Sequence, residues 1–444
     1  MSIQSFNPRQ VAWQIVRDAL AAVDPALAVK HYFDTHSEVV AQIKAMPGRV
    51  FVIGAGKAGT PMVEAVVNIF GDNIADGRVI VKYGHTGDKS ELSLGRIQIR
   101  EAGHPIPDEA GLTAAREIAD LLHQTDQEDM VLCLISGGGS ALLTLPADGL
   151  SLSDLQATTE SLLAAGATIN QFNTIRKHLS AVKGGGIAQL AAPAKIHALI
   201  LSDVVGDPLE VIASGPTVPD PTTFTDAWAI VEQYRLQDKL TEPVIQRLQA
   251  GCAGKMSDTP KPGDPVFAQV TNTVIGSNRI AAQAAVESAQ RAGFNAKLLS
   301  TFIEGEAREV GRVMAGLAKG LICDEGPIKR PACLVAGGET TVTLRGDGKG
   351  GRNQEMALAA AIALEGWSDT LIVCLGTDGT DGPTDAAGAF ADGTTISQAK
   401  ALGLDAVTFL DRNDAYNFFA PLNDLIMTGP TNTNVNDLTL ILAW

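Results

Sequence analysis

The 444-residue sequence predicts an α/β protein built from two different α/β domains, and three observations carry that prediction. Short apolar runs rich in Val, Ile and Leu alternate with helical patterns, the arrangement of parallel strands covered by helices. Apolar residues make up 45% of the chain and aromatics only 5%, which suits buried strands rather than an all-β core. The 45 glycines gather in turns that follow the apolar runs.

Taken in order, 11–23 is an amphipathic helix that ends before Pro25. RVFVIGAG (49–56) is the first buried strand, followed by a glycine turn and an alanine-rich helix from about Thr60. RVIVKYG (78–84) is a strand, 111–124 a helix, and DMVLCLISGGGSALL (129–143) a strand and loop. A helix follows from Ser151, with Asp154 three residues on in the pattern of a capping box. A basic helical segment ending in a second glycine triplet leads to the strand KIHALILSD (195–203). This half reads as a Rossmann-like, doubly wound domain over 1–255. The stretch 250–267 is rich in Pro, Gly, Lys and Asp and lacks periodicity, so it marks a boundary. A second α/β domain is expected over 262–444: strand, helix, strand, helix, then PACLVAGGETTVTLRG as strand, turn and strand, and further alternation to the terminal strand NDLTLILAW.

The charge balance narrows the function. Lys and Arg number 34 against 50 Asp and Glu, a net −16, and such a field repels nucleic acids and anionic membranes. A small anionic ligand would need local cations. The five cysteines are scattered, with no CxxC pair, which argues against a disulfide framework or a zinc site. The start MSIQSFNPRQ has no leader pattern and no apolar run spans a bilayer, so a cytoplasmic setting is expected.

Four glycine-rich or acidic loops could carry chemistry. GAGKAGT (54–60) sets Gly54, Gly56 and Lys57 between a strand and a helix, where a cation can reach a phosphate. It does not match GxxxxGK[ST]. SGGGSALL (136–143) offers Ser136, Gly137, Gly138, Gly139 and Ser140 as an anion nest of backbone and hydroxyl donors. GDGKGGRNQE (346–355) puts Arg352 at the head of a helix. SDVVGDP (202–208) and GTDGTDGPTDAAGAF (376–390) place Asp203, Asp207, Asp378, Asp381 and Asp385 after strands, where open sheets bind ligands and carboxylates suit Mg²⁺. Lys183 stands in the basic segment, and GHPIPDE (103–109) is a proline-stiffened loop holding His104 and Asp108 that either lines a site or merely turns. No G-x-S-x-G elbow exists. Anion cradles, a few cations and clustered carboxylates are the parts phosphoryl transfer needs.

At this point VIGAGKAG (52–59), LISGGGSALL (134–143), SDVVGDPLEVIASGPT (202–217), GGETTV (337–342), GGRNQE (350–355), GTDGTDGPTDAAGA (376–389) and GPTNTNVNDL (429–438) resemble the class II glycerate kinases, the glycerate 2-kinases with a C-terminal MOFRL domain. The resemblance spans nearly the whole chain. It implies ATP-dependent phosphorylation of D-glycerate at the C2 hydroxyl with Mg²⁺, two α/β domains with the site in the cleft between them, and catalytic roles for Lys57 and Arg352. It brings Gly337, Gly338, Glu339, Asn353, Glu355 and Thr377 into the binding set beside the loop residues, Lys183 and Asp207. The expected partners are D-glycerate and ATP, with no nucleic acid or membrane, and a homo-oligomer is compatible with them. Lys57 would neutralise the transferring phosphoryl or position glycerate, and Arg352 would hold a carboxylate or the γ-phosphate. Sequence does not rank the carboxylates; the working assignment takes Asp203 as catalytic and Asp378 and Asp381 as metal ligands. The chain departs from the family pattern at Asn432, where glycine is expected. The family also carries the label hydroxypyruvate reductase. A reductase would want a dinucleotide fingerprint with an acidic residue about 20 positions on. The remaining alternative is a non-catalytic small-anion-binding protein.

Overall fold

The computed structural model describes residues 7–86 and 93–444, so the first six residues of the N-terminal pattern discussed above lie outside it. Its strands form two sheets. The first contains β1 (Val50–Ala55), β2 (Ile74–Lys82), β3 (Ser93–Leu94), β4 (Ile97–Ala102), β5 (Met130–Ile135), β6 (Lys195–Leu201) and β7 (Val270–Gly276), in the order 3-4-2-1-5-6-7. β1 runs parallel to β2 and β5, β2 to β4, and β5 to β6, while the short β3 is antiparallel. Val50, Val52, Val79, Val81, Leu132 and Leu134 pack with residues of the helices Pro25–Thr35 and Gly59–Phe70. Their neighbours along each strand point to the opposite face, and the helix Glu109–Leu122 packs against β2 and β4. The expected capping box is present: Asp154 N donates to Ser151 Oγ, and Ser151 N donates to the Asp154 carboxylate.

The second sheet contains β8 (Asn295–Glu306), β9 (Ala332–Thr341), β10 (Thr370–Gly376), β11 (Gly388–Asp392), β12 (Leu425–Ile426) and β13 (Asp437–Ala443), in the order 12-11-10-13-9-8. Only β8 and β9 are parallel; β9, β13, β10, β11 and β12 pair antiparallel in turn. The expected break inside PACLVAGGETTVTLRG is absent, and Ala332–Thr341 is one strand. Gly337 and Gly338 sit within it because neighbours come too close for side chains. A β-carbon at Gly338 would lie 2.1 Å from Ile303 O, and one at Gly337 1.8 Å from Asn278 Oδ1.

The contacts divide the chain into two compact units, Pro25–Ser202 with Asp207–Ile275, and the segment through Asp24 with Asp203–Gly206 and Gly276–Trp444. This differs from the expected boundary at 255–262 for two reasons. β7 extends the first sheet, so the Pro/Gly-rich stretch before it is a loop of that unit. The N-terminal helix Pro8–Ala21 packs on the helix Asn278–Arg291, where Asp18 accepts from Ser288 Oγ at 2.6 Å and Arg291 Nη2 at 2.7 Å. Among the described residues no helix is long and apolar enough to cross a membrane, and all five cysteines are free thiols.

Candidate active site

In the first unit, the turns after β1 and β5 interlock. Lys57 N donates to Gly137 O at 2.9 Å, Ser136 N to Ala55 O at 3.1 Å, and Ala58 N to Ser136 Oγ at 3.1 Å. A β-carbon at Gly56, where φ is +148°, would lie 2.0 Å from Ser136 Oγ, so glycine is what lets the turns meet. One at Gly54 would lie 2.3 Å from Leu134 O. Gly138 has φ +81°, and its open α-face lies beside the His104 ring and the Lys57 side chain. Half-buried Lys57 has no hydrogen-bond or ion-pair partner for its ammonium among the described residues.

The serines of the loop behave differently from one another. Ser214 Oγ donates to Asn173 Oδ1 at 3.0 Å, so the 2.7 Å contact between Ser140 and Ser214 has Ser140 as its donor. The Ser140 proton is thereby committed, and its oxygen can only accept from a further group. The Ala213–Ser214 pair that holds this relay has φ values of 50° and 63°, a costly conformation for residues with side chains. Lys183 is 3% exposed and donates to Ser140 O at 2.6 Å and Leu143 O at 3.0 Å. Burial, reinforced by the Arg176 charge, pushes its ammonium well below the usual range. Rather than facing an anion, it ties down the carbonyls of Ser140, in the short helix Gly139–Leu142, and of Leu143, just after it. Asp207, at φ 55°, belongs to this unit, whereas Asp203 belongs to the other.

In the second unit, Arg352 opens the helix Arg352–Ala363. Its Nε and Nη2 bond the two oxygens of Asp437 at 2.6 and 3.0 Å, and Nη1 bonds Glu339 at 2.9 Å. Burial works against the cation, but Asp437 and Glu339 more than offset it and hold the guanidinium above its ordinary range. Burial raises the Asp437 carboxyl, with Arg352 opposing the rise. Asp437 lies in the quoted GPTNTNVNDL motif, yet nothing in the sequence marked it as the partner of Arg352.

Asp381 is turned inward. Its oxygens accept from Asn353 N at 3.1 Å, Asn353 Nδ2 at 3.3 Å and Gln354 N at 2.8 Å, so it caps the helix that Arg352 begins. Burial pushes its carboxyl up to about 6 against those backbone bonds, with the Asp437 charge adding to the rise. This is the geometry of a helix cap, not of the metal ligand expected. Glu355 is likewise buried, bonded to Arg308 Nε and Asn413 Nδ2 at 2.8 Å each. Thr377 Oγ1 donates to Asn436 O at 2.7 Å and accepts from Val435 N at 2.8 Å, pinning the 431–436 loop. Asn432 in that loop has φ 60°, the left-handed geometry for which glycine was expected. Asp378 is half-buried and accepts from Thr380 N at 3.1 Å through one oxygen.

A pocket of about 920 Å³ in this unit is lined by Glu339, Leu344, Arg352, Asp378 and Asp381 together with the glycines of 346–351. Beneath it, Asn353 Oδ1 and Gln354 Oε1 are buried with no partner among the described residues. Its volume suits a nucleotide-sized ligand. No group of three or more His, Cys, Asp or Glu in metal-binding arrangement exists among the described residues.

Comparison with known proteins bears on the chemistry. Residues 11–249 match the family described as a domain of unknown function (DUF4147), and residues 332–437 match the MOFRL family. The D-glycerate 2-kinase of Thermotoga maritima is 43% identical over 98% of this chain and 99% of its own. The glycerate 2-kinase of Pyrococcus horikoshii is 42% identical over 99% of this chain and 98% of its own. A protein of Agrobacterium vitis bearing the name hydroxypyruvate reductase is also 42% identical, over 100% of this chain and 96% of its own. The crystal structure of a Thermotoga maritima glycerate kinase superposes with a TM-score of 0.89 at 42% identity, covering 98% of this chain and 99% of that one.

Proposed function

Because this chain belongs to the glycerate 2-kinase family, we propose that it transfers the γ-phosphoryl group of ATP to the C2 hydroxyl of D-glycerate, giving 2-phosphoglycerate and ADP. It is an ATP-dependent kinase of glycerate. The observation that carries this reading into the chemistry is Lys57. A half-buried ammonium without a protein partner, against a glycine turn in a chain of net charge −16, suits a bound anion. Phosphoryl transfer needs positioning and charge neutralisation more than covalent chemistry from the protein. Lys57 and the backbone of Gly137–Gly139 would hold anionic oxygens of the reactants. Arg352 keeps part of its guanidinium exposed beside the second-unit pocket, which would receive ATP.

Mg²⁺ fits that pocket as an oxygen-bound cation arriving with the nucleotide. Mg²⁺ takes one or two carboxylates and completes its shell with phosphates and water. Asp378 and Glu339 would supply those carboxylates, since Asp381 already accepts three N–H groups. Held by those carboxylates, Mg²⁺ would supply charge neutralisation for the phosphates. The turn after β1 has the glycine spacing of a dinucleotide site, but β2 ends in Lys82, where that fingerprint carries an acidic residue, so the reductase reading of some relatives is not favoured. We place the enzyme in the cytoplasm, since its five cysteines are unpaired and two of them are exposed.

An assay coupled to enolase, with no phosphoglycerate mutase, tests both the reaction and its position. D-glycerate, ATP and Mg²⁺ should give rising phosphoenolpyruvate absorbance. ADP without that signal would mean 3-phosphorylation or another acceptor. Hydroxypyruvate-dependent NAD(P)H loss without ADP would reverse the kinase reading.

A further inference from the structure

The kinase reading leaves the acceptor for the C2 hydroxyl proton unidentified. Asp381 already accepts three N–H donors. A different group stands beside the Lys57 turn. His104 follows β4, and its ring covers Gly138: a β-carbon there would lie 3.0 Å from His104 Cδ2, 3.1 Å from His104 Nε2 and 3.4 Å from Lys57 Cε. The imidazole and the lysine side chain therefore flank one backbone position of the glycine loop. Neither ring nitrogen of His104 has a hydrogen-bond partner among the described residues, and the ring is half-buried. An uncommitted imidazole beside an uncommitted ammonium, over a glycine that keeps the approach open, is an arrangement structural packing does not require.

The charged groups around it set its state. Burial first, then the charges of Lys57, Lys82 and His85, push the ring down to about 4. The nearby acids are engaged elsewhere. Asp108 accepts from Tyr83 Oη at 2.8 Å and Gly111 N at 2.9 Å, and Glu101 accepts from Gly84 N and Thr86 Oγ1 at 2.9 Å each. The ring is thus neutral at neutral pH, with a lone pair on one nitrogen.

We propose, resting on the kinase reading above, that His104 is a catalytic residue whose unprotonated ring nitrogen accepts the proton of the glycerate C2 hydroxyl. The hydroxyl O–H bond breaks toward the imidazole as the C2 oxygen bonds the γ-phosphorus. The bond from that phosphorus to the bridging oxygen breaks, its electron pair leaving with ADP, and the imidazolium later releases the proton to solvent. Anionic substrate beside Lys57 offsets the part of the lowering that comes from the nearby cations, while the larger part, from burial, stays. The basicity of His104 accordingly rises when the hydroxyl is in place, as a general base requires.

The test uses the full chain with H104A and H104Q in the enolase-coupled assay, alongside thermal melting. The expected result is a kcat lowered by about 10²–10⁴-fold in both, KM for glycerate within a few-fold, and melting of H104Q unchanged. Added imidazole should restore part of the turnover of H104A, which a packing role would not produce. H104Q with kcat within a few-fold of wild type would overturn the proposal while leaving the kinase reading intact. A folded H104Q that loses turnover, together with an H104A that imidazole fails to rescue, would also overturn it and reduce His104 to positioning. A wild-type enzyme that makes no 2-phosphoglycerate would remove the reading itself.

Discussion

Lys57 and Arg352 look alike in sequence, each a cation in a glycine turn, but the structure gives them different energetic surroundings. Lys57 has no protein partner among the described residues, so Lys57→Ala should leave stability within ~0.5 kcal/mol and lower kcat by roughly 10²–10³-fold. Arg352 is bonded to a carboxylate that is 4% exposed. Arg352→Ala strands that charge and should cost roughly 2–4 kcal/mol in urea unfolding as well as turnover, the lower end reflecting the partial exposure of the guanidinium. Equal stability loss in the two variants would contradict this division. Asp381 makes a third case. Its carboxyl is raised from 3.8 to about 6, so the folded state binds the proton more tightly than the unfolded chain. The stability this contributes is full below about pH 4 and is lost as pH rises through 6. Asp381→Asn removes the titration, so the stability gap between wild type and variant should widen as pH falls from 7 to 5, by roughly 1 kcal/mol. A gap that narrows would mean the carboxyl is not raised. As candidates, these three side chains were legible from residue type and turn. Their roles were not, because whether an aspartate after a strand faces solvent or a helix head depends on distant backbone.

At the level of elements, local pattern was a good guide wherever the deciding forces were local. The fully buried β1, β5 and β10 read as apolar runs, and the Ser151 cap read as a capping box. The pattern misled where glycines serve a neighbouring strand rather than a turn, as at Gly337–Gly338 inside β9. Lys183 is a similar misreading. A lysine before a glycine triplet suggested an anion contact, but its Nζ supports the carbonyls of Ser140 and Leu143, in and just after the short helix Gly139–Leu142. Lys183→Ala should therefore lower the melting midpoint, since two carbonyls lose their donor, a loss of about 1–3 kcal/mol. KM for glycerate and ATP should stay within about twofold in the folded fraction, as expected of a group that binds neither. An unchanged midpoint with a raised KM would return Lys183 to the ligand-binding set.

The largest gap between sequence and structure lies at the scale of the whole chain. A helix at residues 8–21 that precedes a Rossmann-like sheet is expected to pack on that sheet, and sequence proximity offers no other partner. Instead its contacts are with the unit formed by the C-terminal half. Arg9 bonds Asp424, meets Asp392 at 3.0 Å and lies 5.6 Å over the Phe390 ring, while Trp13 packs edge-on to the same ring at 5.7 Å. Thr433 Oγ1 donates to Val23 O at 2.8 Å. Asp424 is 1% exposed, and burial raises its carboxyl while Arg9 opposes the rise. Arg9→Ala leaves that carboxyl buried without its cation, at a cost of roughly 2–3 kcal/mol. Adding Asp424→Asn should recover part of the loss, because no uncompensated charge then remains. Hydrogen exchange would show where the loss falls. Loosened amides in β11 and β12, with β1 and β5 as protected as before, are the expected pattern, because the cost is borne by the strands that carry Asp392 and precede or follow Asp424. If β1 and β5 loosen first, the N-terminal helix belongs energetically to the first sheet, and the boundary expected from sequence is the better description of how this chain is divided.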